Sequence, residues 1–87
     1  MGVAPILAVE VEGRYEGARA LGEKARWYLE RGVSVVWLVQ PRSRHVVVVT
    51  RAGETRHEMG ERLPACAELP ELTPEVAELF WQVSREE

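Results

Sequence analysis

Two valine-rich runs separated by only four residues restrict the fold of this chain more than any other feature. They cover residues 33–40 and 45–50, and neither alternates between apolar and polar positions. Short runs rich in β-branched residues are typical of strands, and the lack of alternation indicates cover on both faces of a sheet. The connection at residues 41–44, Pro-Arg-Ser-Arg, is turn-like and predicts a hairpin.

A strand pattern and then a helix pattern precede this hairpin. In residues 5–13 a period of two places Ala8, Glu10 and Glu12 on one face and Leu7, Val9 and Val11 on the other. From residue 17 to 31 apolar residues recur every three or four positions, which predicts a helix with one apolar face. These residues are Ala18, Leu21, Ala25, Tyr28 and Leu29. Gly32 follows as the expected left-handed terminator.

The last third of the chain predicts one more strand and one more helix. The strand covers about residues 54–58, and a proline-containing irregular connector covers residues 59–74. Thr73 as N-cap and Pro74 at the first position predict the start of the terminal helix, with Val76, Leu79, Phe80 and Val83 facing inward. Residues 1–87 are therefore expected to form one α/β domain of order β-α-β-β-β-α, with a parallel first crossover in a mixed sheet.

The ionisable residues are unusually biased. All fourteen acidic residues are glutamates, and Lys24 is the single lysine among eleven basic residues. A metal site would therefore have to use glutamates, main-chain groups or a partner subunit. A lone lysine is also a candidate for chemistry, because a compact ammonium approaches phosphate differently from a guanidinium. The alternative explanation is compositional: a GC-rich genome favours arginine, and a thermophile avoids labile asparagine.

Bulk properties exclude several classes of protein. A net charge of −3 argues against general electrostatic binding of nucleic acid, although a weak interaction stays open. The single cysteine, Cys66, fits a reducing cytoplasm and is expected to pack against the core. No apolar run approaches the length of a membrane span, so we expect a cytoplasmic protein.

Three stretches of the chain together resemble a known family. They are PILAVEV, LGEKARWYLERGVSVVWLVQP and PELTPEVAELF, and the likeness runs from about Ala4 to Trp81. The chain resembles the C-terminal half of the Uma-type endonucleases, which belong to the PD-(D/E)XK restriction-endonuclease-like superfamily. The most specific part is the helix with Lys24 and Tyr28, followed by the strand containing Trp37.

The resemblance implies roles for two residues. Glu10 matches the strand glutamate that helps to hold a divalent cation, here Mg²⁺. Lys24 matches the helix lysine that stabilises phosphoryl charge or the attacking water. Two aspartate positions of the family are Ala20 and Gln40 here, and the strand with the upstream aspartate has no counterpart. We therefore expect a truncated restriction-endonuclease-like core.

Glu12 is the uncertain third site residue, because it shares the strand face of Glu10. Together with Lys24 the two glutamates could form a minimal magnesium site, since Mg²⁺ prefers oxygen ligands. Alternatively, they line the solvent face or pair with Lys24 and Arg14. His45 lacks metal-ligand spacing, as does His57, and both are interpreted as lone surface or strand-end residues. The arginines of the hairpin region are Arg42, Arg44, Arg51 and Arg56. They could contact phosphate. Alternatively, they form a solvated, partly salt-bridged edge.

Two classes of function follow. The first is a nuclease-like domain that is inactive or weakly active, because the chain has no aspartate to complete a carboxylate pair. The second is a non-catalytic homodimeric binding or assembly module that kept the fold. A homodimer is expected in either case, because two helices supply little cover for the valine-rich strands, and Trp27 and Trp81 fall off the core-facing stripes.

Overall fold

The computed structural model describes residues 5–85, with side chains up to residue 80. The elements are β1 (Leu7–Val11), α1 (Ala18–Glu30), β2 (Val35–Gln40), β3 (His45–Thr50), β4 (Gly53–Glu58) and α2 (Val76–Arg85). This is the predicted β-α-β-β-β-α order. Among the described residues, no helix has the length and apolar character needed to cross a membrane.

The four strands form one mixed sheet in the order β1-β2-β3-β4. β1 pairs with β2 in parallel, with Val9 next to Trp37 and Glu10 next to Leu38. β2 with β3 and β3 with β4 are antiparallel. The predicted parallel crossover and hairpin are confirmed, and β1 and β4 are the two edges of the sheet.

Each face of the sheet has its own apolar layer, as the valine-rich runs predicted. On one face, Leu21 and Ala25 of α1 pack against Val36 and Leu38 of β2. On the other face, buried residues of β2 and β3 pack with Leu63 of the connector and with Val76 of α2. Cys66 packs at the border of this second layer. Helix α1 therefore lies over β1 and β2, which places its polar side chains above the end of β1.

Both ends of α1 follow from local chemistry. Gly17 precedes the helix in an extended conformation, and its carbonyl accepts the backbone N–H of Leu21 at 3.2 Å. The chain leaves the helix at Gly32, whose φ of 99° is a left-handed conformation that favours glycine. A guanidinium from the β3–β4 turn adds a C-terminal cap, since Arg51 donates to the Leu29 carbonyl at 2.8 Å. This cation position also suits the negative end of the helix dipole.

The predicted start of α2 is wrong by two residues. The helix begins at Val76, not at Pro74. The reason is a tertiary contact: Leu63 donates its N–H to the Pro74 carbonyl at 2.9 Å, and Val76 donates to Glu61 at 2.9 Å. These bonds hold the chain extended through residues 73–75. Glu75 then caps the helix, donating its N–H to the Glu78 carboxylate at 2.8 Å, which is half of a capping box.

Candidate active site

Glu10 and Lys24, the two residues that the resemblance singled out, lie next to each other near the end of β1. Lys24 Nζ lies 3.5 Å from Oε1 of Glu10, and Tyr28 donates its hydroxyl to Oε2 of Glu10 at 2.7 Å. Lys24 and Tyr28 are four residues apart on α1, so both project from the same side of the helix onto β1. The Glu10 carboxylate is half-buried beneath them and accepts a hydrogen bond on each oxygen.

Glu16 is a second carboxylate at Lys24 that the sequence interpretation missed. Its Oε2 lies 2.5 Å from Lys24 Nζ, and its Oε1 accepts the backbone N–H of Gly13 at 3.0 Å. The hydrogen bond from Lys24 lowers the pKa of Glu16, and the same bond raises the pKa of Lys24. Lys24 is therefore a cation held between two carboxylates. The Gly13-to-Glu16 turn is the only sequence signal that could have indicated Glu16.

Tyr28 also has a polar role that its place on the apolar helix stripe did not predict. The hydrogen bond to Glu10 raises its pKa, and loss of hydration raises it further. The phenol therefore stays protonated near neutral pH and acts as a donor. It orients the Glu10 carboxylate towards Lys24.

Glu12 does not join this cluster. It extends the ladder past β1, donating its backbone N–H to the Val39 carbonyl at 2.9 Å. Among the described side chains, the ion pairs of Lys24 are made with Glu10 and Glu16. The three predicted site residues therefore do not converge on a single point, and Glu16 stands where Glu12 was expected.

His45 is a strand-end residue, as predicted, but it is buried rather than at the surface. Its Nδ1 lies 2.7 Å from the hydroxyl of Ser43. Burial lowers its pKa, and the Arg56 guanidinium acts in the same direction, while Glu58 and Glu12 oppose them. The imidazole is therefore neutral near pH 7.

Acidification is expected to destabilise the domain through His45. Its ordinary pKa is 6.5 and its folded pKa is lower, so the unfolded chain binds more protons between these two values. The stabilisation is complete above about pH 6.5 and is lost as the pH falls below it. Urea denaturation at pH 7.5 and 5.5 checks this. We expect a drop in the free energy of unfolding of wild type and a smaller drop in His45→Gln. An equal drop in both proteins would contradict the assignment.

The arginine-rich hairpin region is partly salt-bridged, in line with one of the two interpretations. Arg56 pairs with Glu58 at 2.5 Å within β4, and Arg62 pairs with Glu75 at 3.4 Å. Arg51 is engaged at the end of α1, as described above. The guanidinium groups of Arg51, Arg56 and Arg62 are therefore engaged in contacts within the fold.

The Glu10–Lys24 pair opens into a cleft of about 520 Å³ between β1 and α1. Its lining residues are Glu10, Ala20, Glu23, Lys24, Trp27 and Tyr28. Trp27 is 50% exposed, and Arg31 stacks on its ring with the guanidinium carbon 3.8 Å from the centroid. The cleft is therefore open to solvent beside Trp27.

The described residues of one chain do not fit a complete magnesium site. Within residues 5–85, no group of three or more acidic, histidine or cysteine side chains could hold a metal ion. Mg²⁺ needs near-octahedral oxygen ligands. One oxygen each of Glu10 and Glu16 already binds the Lys24 ammonium, and the other two accept from Tyr28 and from the Gly13 N–H. A cation in this cleft would have to displace Lys24 or find carboxylates elsewhere.

Comparisons with known proteins agree with this architecture. The family model Uma2, described as putative restriction endonuclease, matches residues 1–80. A crystal structure of a putative nuclease belonging to DUF820 from Anabaena variabilis has the same fold, with a TM-score of 0.75 at 20% identity. The match covers 91% of this chain and 45% of that one, so the chain spans less than half of that protein. No curated protein matches the chain.

Proposed function

Because this chain belongs to the Uma2 family of putative restriction endonucleases, we propose that it is a nuclease-like domain whose site is built on Glu10 and Lys24. The chain alone cleaves DNA weakly or not at all, since it supplies only part of the chemistry. This makes it an incomplete restriction-endonuclease-like core, with Glu12 as an uncertain third residue.

The single observation that carries this proposal is the contact of Glu10 with Lys24 inside an open cleft. The raised pKa of Lys24 keeps a positive charge there, where it can stabilise the negative charge that develops on a phosphoryl group. Tyr28 holds the neighbouring carboxylate in place. An ammonium and an oriented carboxylate on rigid elements are two of the groups that metal-assisted phosphodiester chemistry uses.

Three features support weak or absent activity. Glu16 compensates the charge of Lys24 at 2.5 Å, and this reduces the attraction of the ammonium for phosphate. Glu12 lies outside the cluster, so a metal ion would meet carboxylates that are already paired with Lys24. The net charge of −3 also gives poor long-range steering towards DNA.

A homodimer forms part of the proposal. Apolar side chains are exposed at the edge of the sheet and beside the cleft: Ile6, Val9, Val11 and Trp27. The second tryptophan predicted to lie off the core, Trp81, has its side chain outside the described residues. The same exposed edge favours the second candidate function, a homodimeric binding or assembly module without catalysis. A cytoplasmic location suits either function, because Cys66 is a free thiol.

A cleavage assay tests the function. We expect little or no nicking of plasmid DNA with Mg²⁺ or Mn²⁺. Any residual cleavage should fall about 10²–10³-fold in Lys24→Met, which removes the stabilising charge, and it should also be lost in Glu10→Gln. Glu23→Gln is the matched control, because Glu23 lines the same cleft but its carboxylate pairs with Arg19.

Robust metal-dependent cleavage that both site variants abolish would contradict the weak activity and show a complete enzyme. Residual cleavage that survives both site variants would remove Glu10 and Lys24 from the site. A dimer that neither binds nor cuts DNA would favour the assembly module.

A further inference from the structure

The carboxylate of Glu16 can leave its place without unfolding the loop that carries it. This loop, residues 12–17, joins β1 to α1. The backbone N–H of Glu16 donates to the Gly13 carbonyl at 3.2 Å and closes a turn. The carboxylate folds back over the same turn and accepts the Gly13 N–H at 3.0 Å. Because the first of these bonds is between main-chain groups, the side chain can rotate away while the turn persists.

Two donors from different elements converge on this carboxylate. Oε1 accepts the Gly13 N–H of the loop, and Oε2 lies 2.5 Å from the Lys24 ammonium of α1. The Glu16 side chain is only 18% exposed, although most residues of its loop are exposed. A main-chain N–H and a lysine ammonium are also donors that proteins use to bind phosphate oxygens. The two donors therefore form an oxyanion-binding position that Glu16 occupies.

Lys24 connects this position to the cleft. Its side chain lines the cleft and is 46% exposed, while Glu16 contacts the ammonium from the loop. Ala20 also lines the cleft and lies one helical turn before Lys24, where it presents only a methyl group. On that turn of α1 an anion in the cleft can therefore approach the ammonium without meeting a bulky side chain.

We infer that Glu16 is an internal anion that holds the oxyanion-binding position of Lys24 and Gly13, and that a phosphodiester group of the substrate displaces it. The inference rests on the proposed function for the identity of the displacing group. A carboxylate and a phosphodiester each carry one negative charge and present two oxygens to a pair of donors. Displacement therefore exchanges contacts of the same kind.

The contact between Glu16 and Lys24 is in this sense autoinhibitory. The loop tethers Glu16 beside the ammonium, so its effective concentration there is about millimolar or higher. A free phosphate ion has to compete with this tethered carboxylate. A DNA strand has further contacts along the cleft to add to its affinity. The internal anion thus favours a polymer of phosphodiesters over free phosphate.

DNA binding without cleavage tests the displacement. A short fluorescein-labelled duplex is titrated in EDTA at low salt, and fluorescence anisotropy gives the dissociation constant. Glu16→Gln is expected to bind about fivefold more tightly than wild type, because an exposed ion pair that competes for Lys24 is removed. Glu23→Gln is the matched control, since it removes the same charge beside the cleft from a carboxylate that pairs with Arg19. It should change the affinity by less than about twofold.

The gain in affinity should depend on Lys24. Glu16→Gln combined with Lys24→Met is expected to bind no more tightly than Lys24→Met alone, because the phosphate then has no ammonium to reach. Circular dichroism should show the same helix content in all these variants, since the buried residues Leu21 and Ala25 still hold α1 on the sheet.

Amide chemical shifts locate the anion. In Glu16→Ala the Gly13 N–H has lost its carboxylate acceptor. Inorganic phosphate should therefore shift the Gly13 amide signal at a lower concentration in this variant than in wild type. Gly60, in the connector after β4, supplies a reference signal that should not respond.

Three results would each overturn the internal anion: equal affinities of Glu16→Gln and Glu23→Gln for the duplex, a gain that persists without Lys24, or a Gly13 signal that does not respond to phosphate. They would leave Glu16 with the role of fixing the loop. A Gly13 signal that responds to phosphate in proteins that do not bind the duplex would keep the internal anion, but it would contradict the nuclease-like function. Lys24-dependent cleavage without a gain in Glu16→Gln would do the reverse.

Discussion

Leu21→Ala is expected to lower the free energy of unfolding by about 2–5 kcal/mol. Leu21 is 0% exposed and packs α1 onto β2 beside Ala25, Val36 and Leu38. Truncation removes its transfer free energy and leaves a cavity that a sheet and a helix fixed at both ends cannot close. A domain of this size has a total stability of only about 4–13 kcal/mol, so the loss is a large part of the whole.

Urea denaturation of both proteins at the same protein concentration measures this effect. Arg26→Ala is the control on the same helix, because its side chain is exposed and alanine keeps the helix propensity. It should change the unfolding free energy by less than about 0.5 kcal/mol. A comparable loss in both variants would indicate that helix formation, not burial of Leu21, limits stability.

Leu63→Ala is expected to have a similar effect, about 2–5 kcal/mol, although Leu63 lies outside every helix and strand. It is 1% exposed and fills the layer beneath β2 and β3. Its side chain belongs to the same core cluster as Val76 at the start of α2, so truncation also loosens the packing of that helix. The connector is therefore part of the core and not a passive loop.

Leu72→Ala is the matched control in the same connector, since Leu72 is 39% exposed. We expect it to cost well under 1 kcal/mol by the same urea measurement, as is usual for exposed positions. Equal free energies of unfolding for the two leucine variants would contradict the packing of Leu63 against the sheet. A selective loss of α2 helicity by circular dichroism in Leu63→Ala would support its link to that helix.

The candidate site was predictable only where it depended on one strand and one helix. Glu10 and Lys24 were identified from the sequence, and their contact follows from placing α1 over β1. Glu16 was not identified from the sequence, because its position depends on a loop that is held by the hydrogen bond from the Gly13 N–H to the Glu16 carboxylate. Tyr28 was interpreted as a core residue, because helical spacing does not show which atom of an amphipathic side chain reaches a carboxylate.

Sequence alone determined the order of elements, the parallel crossover, the hairpin and the two-sided cover of β2, because each depends on periodicity within a few residues. Tertiary structure decided three further points: that Lys24 binds Glu16 and not Glu12, that α2 begins at Val76, and that His45 is buried. All three depend on contacts between segments distant in sequence or on loop geometry. A periodic pattern indicates which face a residue occupies. It does not specify which partner lies opposite, since that depends on how helix, sheet and connector pack together.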